Sequence, residues 1–98
     1  MKFAPIALFV YNRPEILKKT LRSLKKNKFI EKANIYVFSD GPKQNLSDRK
    51  KVDKVRSLIK NIKNLNIKSK IFYKTNRGLK KNIIQGINYV FKKNSKII

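Results

Sequence analysis

One junction near the start of the chain constrains the fold more than any other feature. Residues 6–11 are nearly continuously apolar, which is typical of a strand covered on both faces of a parallel sheet. The run stops at Asn12-Arg13-Pro14-Glu15, and an amphipathic helical pattern follows at once. Pro14 is tolerated in a first helical turn, and Asn12 and Glu15 have the spacing of a capping box. The junction predicts a buried strand leading into a helix whose N-terminus lies at the carboxyl edge of the sheet, where ligands bind.

Strand and helix patterns alternate along the rest of the chain. The first helix pattern ends near Asn27, and further strands are predicted at 34–40 and 69–74. A helix beginning near Ser47 and Asp48 follows the second strand, another beginning at Leu79 follows the third, and residues 95–98 begin like a fourth strand. This order predicts a Rossmann-like three-layer α/β/α arrangement with a mostly parallel sheet and right-handed crossovers. The connections are short, so residues 1–98 are interpreted as a single domain.

Composition excludes several kinds of site. The chain of 98 residues has no Cys and no His, so it holds neither a disulfide framework nor a Ser-His-Asp or Cys-His set. No apolar run reaches the roughly 18–20 residues of a membrane span, and no signal peptide pattern is present. We expect a cytoplasmic protein, with peripheral association with a membrane left open.

The net charge of +21 has two interpretations. It could indicate a small basic nucleic-acid-binding domain, because polyanions attract such a surface. Alternatively, the excess reflects a low-GC bacterial genome, since the chain has 21 Lys but only 5 Arg, together with 11 Asn and 13 Ile. The basic residues occupy all three helix patterns and most loops, whereas a dedicated nucleic-acid site favours Arg on one face. We therefore favour compositional bias and expect no specific nucleic-acid partner.

Three polar positions are predicted to meet at the carboxyl edge of the sheet. These are Asn12-Arg13 after the first strand, Asp40 after the second, and Asn76-Arg77-Gly78 before the third helix, with Lys80 and Lys81 just inside that helix. Each has a structural explanation, as a helix cap, a solvated cation, a turn residue or a glycine required by the backbone. Together they suit a nucleotide, because an Asp accepts from ribose or base and an Arg at a helix N-terminus suits phosphate.

Other phosphate-binding classes do not fit these residues. Dinucleotide binding needs G-x-G-x-x-G after the first strand, where this chain has Asn-Arg-Pro. No Walker-type loop is present, and no two carboxylates converge on one loop to hold a metal or to act as an acid and a base.

Three segments together resemble the start of family 2 glycosyltransferases with the GT-A fold. They are residues 5–14, residues 38–42, and Asn76-Arg77-Gly78-Leu79 followed by residues 82–84 and 86–87. The resemblance covers essentially the whole chain and implies the first half of a GT-A domain. It implies a UDP- or GDP-type nucleotide-diphospho-sugar donor and an acceptor that is a glycan, lipid or protein.

The resemblance also implies roles for individual residues. The nucleotide would be bound by Tyr11, Asn12, Arg13, Asp40, Arg77, Gly78 and Lys81. The family places its acidic motif for Mg or Mn at the end of the strand that begins here at residues 96–98. Its ligands are not present in this chain, so we expect no useful transferase activity from these residues alone. A truncated non-catalytic module, and self-association through an uncovered sheet, remain alternatives.

Overall fold

The fold is a small parallel sheet with helices on both faces. The computed structural model describes residues 5–27 and 30–93, except for the side chain of Glu31. Its elements are β1 (Ile6–Val10), α1 (Pro14–Lys25), a short 3-10 turn (Ile30–Lys32), β2 (Ile35–Ser39), α2 (Leu46–Lys60), β3 (Ile67–Phe72) and α3 (Leu79–Lys93). The predicted Rossmann-like α/β class and the parallel pairing are confirmed.

Strand β2 lies at the centre of the sheet, between β1 and β3. All five of its residues are buried, which explains why this segment is apolar almost throughout. Ile35 and Val37 point to the face covered by α1 and α2, where they pack in one core cluster. Tyr36 and Phe38 point to the opposite face and pack with Val90 of α3. The chain therefore changes faces after β3, so α3 covers the other side of the sheet.

Close packing of α3 against the sheet depends on a glycine. A Cβ at Gly86 would lie 2.5 Å from Cε1 of Phe9 and 3.2 Å from Cδ2 of Phe38. The rings of Phe9 and Phe38 stack with their centroids 5.3 Å apart. Because Gly86 has no side chain, the helix can rest directly on these two rings.

Several predicted boundaries are shifted. The first helix ends at Lys25 rather than near Asn27, and β3 begins and ends two residues earlier than the predicted 69–74. The predicted capping box is wrong, because Arg13 occupies the N-cap of α1 and no side chain caps that helix. At α2 the cap is Asn45, whose side chain accepts from the N–H of Asp48 2.7 Å away. The predicted strand at 95–98 lies outside the described residues.

One side of the sheet leaves apolar surface uncovered. Within the described part of the chain, β1 pairs only with β2, and its residues are only partly buried. Large apolar side chains are also exposed on two of the helices, namely Ile16 on α1 and Leu79, Ile84, Ile87 and Phe91 on α3. Exposed apolar patches of this kind often mark contact surfaces.

Candidate ligand-binding cleft

A cleft of about 440 Å³ opens at the carboxyl edge of the sheet. This volume lies within the roughly 300–1,000 Å³ of small-molecule sites. Its apolar wall comes from β1 and α1, and its polar rim comes from the loops that follow β1, β2 and β3. The lining residues that matter below are Phe9, Val10, Tyr11, Asn12, Arg13, Ile16, Asp40, Lys43, Asn76, Gly78 and Asn82.

The position of the cleft follows from the topology. Helices α1 and α2 cover one face and α3 covers the other, so connections leaving the carboxyl edge diverge beside β1. In open α/β sheets, ligands bind where the connections diverge in this way. The cleft thus occupies the place that the sequence predicted for a site.

Asp40, at the end of β2, holds the loop before α3. Its Oδ1 accepts from the N–H of Gly41 at 2.9 Å and of Arg77 at 2.8 Å. Its Oδ2 accepts from the N–H of Gly78 at 3.1 Å and, at a longer 3.4 Å, from Nδ2 of Asn76. A carboxylate offers about four acceptor positions, so these four donors, three of them from the loop before α3, occupy all of those of Asp40.

Two further features fix the same loop. Gly78 has a φ of 83°, a left-handed conformation that strains any residue with a side chain. Asn76 Nδ2 also donates to the carbonyl of Gly41 at 3.0 Å. The negative charge of Asp40 (3% exposed) next to the first residues of α3 is favourable, since the N-terminal end of a helix is positive.

A second buried carboxylate lies on the other side of the rim. Asp48 is 8% exposed and accepts from the hydroxyl of Tyr11 at 2.5 Å and from Nδ2 of Asn12 at 2.7 Å. It also accepts from the backbone N–H of Lys43 at 2.6 Å. This one side chain of α2 therefore joins the loop after β1 to the loop after β2.

The close contact between Tyr11 and Asp48 changes the pKa of both groups. Burial, and then the hydrogen bond to Asp48, raise the pKa of Tyr11 to about 12. The hydrogen bond from Tyr11, followed by those from Lys43 and Asn12, lowers the pKa of Asp48, although burial opposes this. At neutral pH the pair is therefore a protonated phenol that donates to an ionised carboxylate.

Arg56 of α2 stabilises the carboxyl ends of β2 and β3 from the face opposite α3. Its Nε donates to Oγ of Ser39 at 3.0 Å, and its Nη2 donates to the carbonyl of Tyr73 at 2.6 Å. The same Nη2 lies 3.3 and 3.2 Å from the carbonyls of Ser39 and Asp40, and the guanidinium lies 4.9 Å from the ring centroid of Phe72. Burial lowers the pKa of Arg56, but a guanidinium remains charged at any physiological pH.

Five of the seven predicted site residues line the cleft, namely Tyr11, Asn12, Arg13, Asp40 and Gly78. Arg77 does not, because its guanidinium lies 4.2 Å from the ring centroid of Tyr73 and donates to Gln85 at 2.9 Å. Only the backbone N–H of Arg77 contributes to the site, through Asp40. Lys81 is exposed on α3 and is not part of the lining.

Sequence reasoning missed two residues that organise the cleft, Asp48 and Arg56. The sequence pattern marks Asp48 only as part of the start of a helix. The available signal was its place among only five acidic residues in the chain. In a chain with so few acidic residues, a carboxylate is expected to accept hydrogen bonds from other segments. The sequence does not indicate which residues donate them.

The described residues hold no metal-binding group. No three carboxylates or other ligating side chains come together within residues 5–27 and 30–93. The two carboxylates nearest the cleft, Asp40 and Asp48, are already engaged by N–H and O–H donors. No helix in the described part of the chain combines the length and the apolar character needed to cross a bilayer.

Comparisons with known proteins identify no relative. No family model, no curated protein and no solved structure matches the chain.

Proposed function

We propose that this chain is the nucleotide-sugar-binding portion of a glycosyltransferase resembling family 2. The parent enzyme would transfer a sugar from a nucleotide-diphospho-sugar to a glycan, lipid or protein acceptor. The observation that carries the proposal is the cleft at the carboxyl edge, where Tyr11, Asn12, Arg13 and Asp40 meet. The resemblance of three sequence segments suggests the class of ligand, and the cleft is the site at which we propose that this ligand binds.

The two sides of the cleft suit the two parts of a nucleoside diphosphate. The apolar wall of Phe9, Val10 and Ile16 would take the flat base, since ligand sites combine apolar walls with a few polar groups. The rim carries the cations Arg13 and Lys43, which would take the diphosphate. No side chain caps α1, so its first backbone N–H groups are available to an anion.

The loop before α3 would shape the site through its backbone. Asp40 holds the N–H groups of Arg77 and Gly78, so its proposed contact with base or ribose requires the exchange of one of these bonds. The longest of them, from Asn76 at 3.4 Å, is the one most easily exchanged. Arg77 and Lys81 would reach the ligand only if their side chains moved.

Catalysis would need groups that these residues do not supply. In the proposed parent enzyme, Mg or Mn would neutralise charge on the departing nucleoside diphosphate. Asp40 and Asp48 are held by other donors and do not form such a site. Binding of the donor, rather than transfer, is therefore the activity proposed for this chain.

A titration with matched arginine variants tests the proposal. Calorimetry or NMR would follow UDP, GDP and inorganic pyrophosphate, each with and without Mn, at physiological salt. Arg13→Ala should weaken nucleotide binding, whereas Arg22→Ala, which removes the same charge from an exposed site on α1, should not. Equal losses in both variants would indicate nonspecific attraction to the positive charge, and no binding at physiological salt would reject the proposal.

The nucleic-acid alternative predicts a different pattern. Exposed lysines lie on α1, α2 and α3 alike, so a mixed oligonucleotide would contact many of them and its affinity would fall steeply with salt. Tight oligonucleotide binding that persists at physiological salt, without nucleotide binding, would favour this alternative.

A further inference from the structure

Asp48 affects the cleft only through the residues that it contacts. It does not line the cleft, but Tyr11, Asn12 and Lys43, which all contact it, do. Tyr11 and Asn12 lie 37 and 36 residues away in sequence and approach from the loop after β1. Two segments of the rim therefore depend on one carboxylate of α2.

The hydrogen bonds to Asp48 determine which atoms of Tyr11 and Asn12 can contact a ligand. Oδ2 of Asp48 accepts from both the Tyr11 hydroxyl and the Lys43 backbone, and Oδ1 accepts from the Asn12 amide nitrogen. Because Nδ2 of Asn12 is held in this way, its Oδ1 is the end left to accept from a ligand. Because the Tyr11 hydroxyl is held, its ring keeps a single orientation along the cleft wall.

We infer that Asp48 is a positioning residue for ligand binding, which orients Tyr11 and Asn12 toward the nucleoside part of the ligand. This inference rests on the proposed function for the identity of the ligand. A purely structural role is the competing explanation, because Asp48 also lies in the first turn of α2, where its charge favours the helix. The two explanations differ in one expectation. If Asp48 positions Tyr11, its effect on ligand binding depends on the Tyr11 hydroxyl, whereas a purely structural effect does not.

A double-mutant cycle on UDP binding separates them. Asp48→Ala should weaken UDP binding about tenfold or more, which corresponds to the loss of a hydrogen bond to a charged group. In the Asp48→Ala background, the further substitution Tyr11→Phe should weaken UDP binding by less than about twofold, because the hydrogen bond that it removes is already absent. Asp53→Ala is the matched control, because Asp53 is an exposed carboxylate on the same helix, and it should leave binding within about twofold.

A second measurement tests the contact without any ligand. In ¹³C-tyrosine NMR, Tyr11 of the native chain should titrate at about 12. In Asp48→Ala its pKa should fall toward the ordinary value near 10, and in Asp53→Ala it should not. If Asp48→Ala does not fold, Asp48→Asn replaces it in both experiments, because it keeps the side-chain volume and loses the charge. Since Asn retains one acceptor oxygen, the expected changes in binding and in the pKa of Tyr11 are then smaller.

The outcomes are distinct. UDP binding by Asp48→Ala at native strength, or fully additive losses in the cycle, would overturn the positioning role. If the native chain binds no nucleotide, the proposed function fails, and the NMR titration still tests the contact that the positioning claim requires. An unchanged Tyr11 pKa in Asp48→Ala would overturn that claim as well.

Discussion

Replacing Asp40 with Ala should destabilise the whole domain. The carboxylate accepts three backbone N–H groups at 2.8 to 3.1 Å, from Gly41, Arg77 and Gly78. A hydrogen bond to a charged group contributes about 1.5–3 kcal/mol, and neighbouring bonds are not additive. Because water can reach part of this loop, we expect a net loss of about 3–5 kcal/mol, which is a large share of the roughly 5–15 kcal/mol of a typical domain.

Urea denaturation and thermal melting followed by circular dichroism would measure this loss. In a domain of this size each kcal/mol shifts Tm by roughly 4–8 °C, so Asp40→Ala should lower Tm by about 12 °C or more. Asp40→Asn keeps the shape and one acceptor oxygen and should fall between Asp40→Ala and the native chain. Asp53→Ala is the control, because it removes an exposed carboxylate of α2. It should change Tm by no more than about 2 °C, in line with most surface substitutions.

One result would refute this reasoning. If Asp40→Ala melts within about 2 °C of the native chain but no longer binds UDP, the carboxylate contacts the ligand directly. The loop before α3 would then keep its conformation without Asp40. If both stability and binding fall together, the carboxylate acts through the loop.

Four further perturbations follow from the packing and the pKa shifts. Gly86→Ala should cost about 1–3 kcal/mol in urea denaturation, because the added Cβ overpacks the ring of Phe9. Arg56→Ala should cost about 2–3 kcal/mol by the same assay, since it leaves partly buried carbonyls without their charged donor. The pKa of Tyr11 is raised in the folded state, so the contribution of the phenol is present below pH 10 and is lost between pH 10 and about 12. Tyr11→Phe should therefore flatten the alkaline decline of the unfolding free energy. The pKa of Asp48 is lowered, so its contribution is present above the unfolded value near 4 and is lost as pH falls further, and Asp48→Asn should flatten that acid decline.

The substitutions of Gly86 and Arg56 each have a control on the same helix. Asn88→Ala on the exposed side of α3 and Arg49→Ala on the exposed side of α2 should change stability by less than about 0.5 kcal/mol. Losses as large as those of Gly86→Ala or Arg56→Ala would point to the helix as a whole rather than to the named contact. A Tyr11→Phe variant with the native alkaline decline would contradict the raised pKa.

The elements could be predicted because their signals are local. A continuous apolar run marks β2 wherever its partners lie, and apolar spacing such as that of Val52, Val55 and Ile59 marks the buried side of α2. The convergence of Arg13 and Asp40 could be predicted too, since parallel strands bring their carboxyl ends to one edge. The boundaries of the elements could not be predicted as closely, because capping depends on which side chain reaches the helix end, and at α1 none does.

The contacts within the site could not be predicted, because they join distant segments. The pairing of Tyr11 with Asp48 spans 37 residues and depends on how the start of α2 meets the loop after β1. Arg77 was predicted from its position before α3, but its side chain lies on Tyr73 instead. Sequence spacing places a residue at an edge of the sheet, whereas the direction of its side chain depends on neighbours from other elements.

NMR chemical-shift mapping of the native chain during a UDP titration at physiological salt tests the central claim most directly. The predicted result is a saturable set of shifts confined to the rim of the cleft, at Asn12, Arg13, Asn76 and Gly78, which inorganic pyrophosphate reproduces only in part. Shifts that spread over the exposed lysines of α1 and α2, or that disappear as salt is raised, would contradict a nucleotide site at this edge of the sheet.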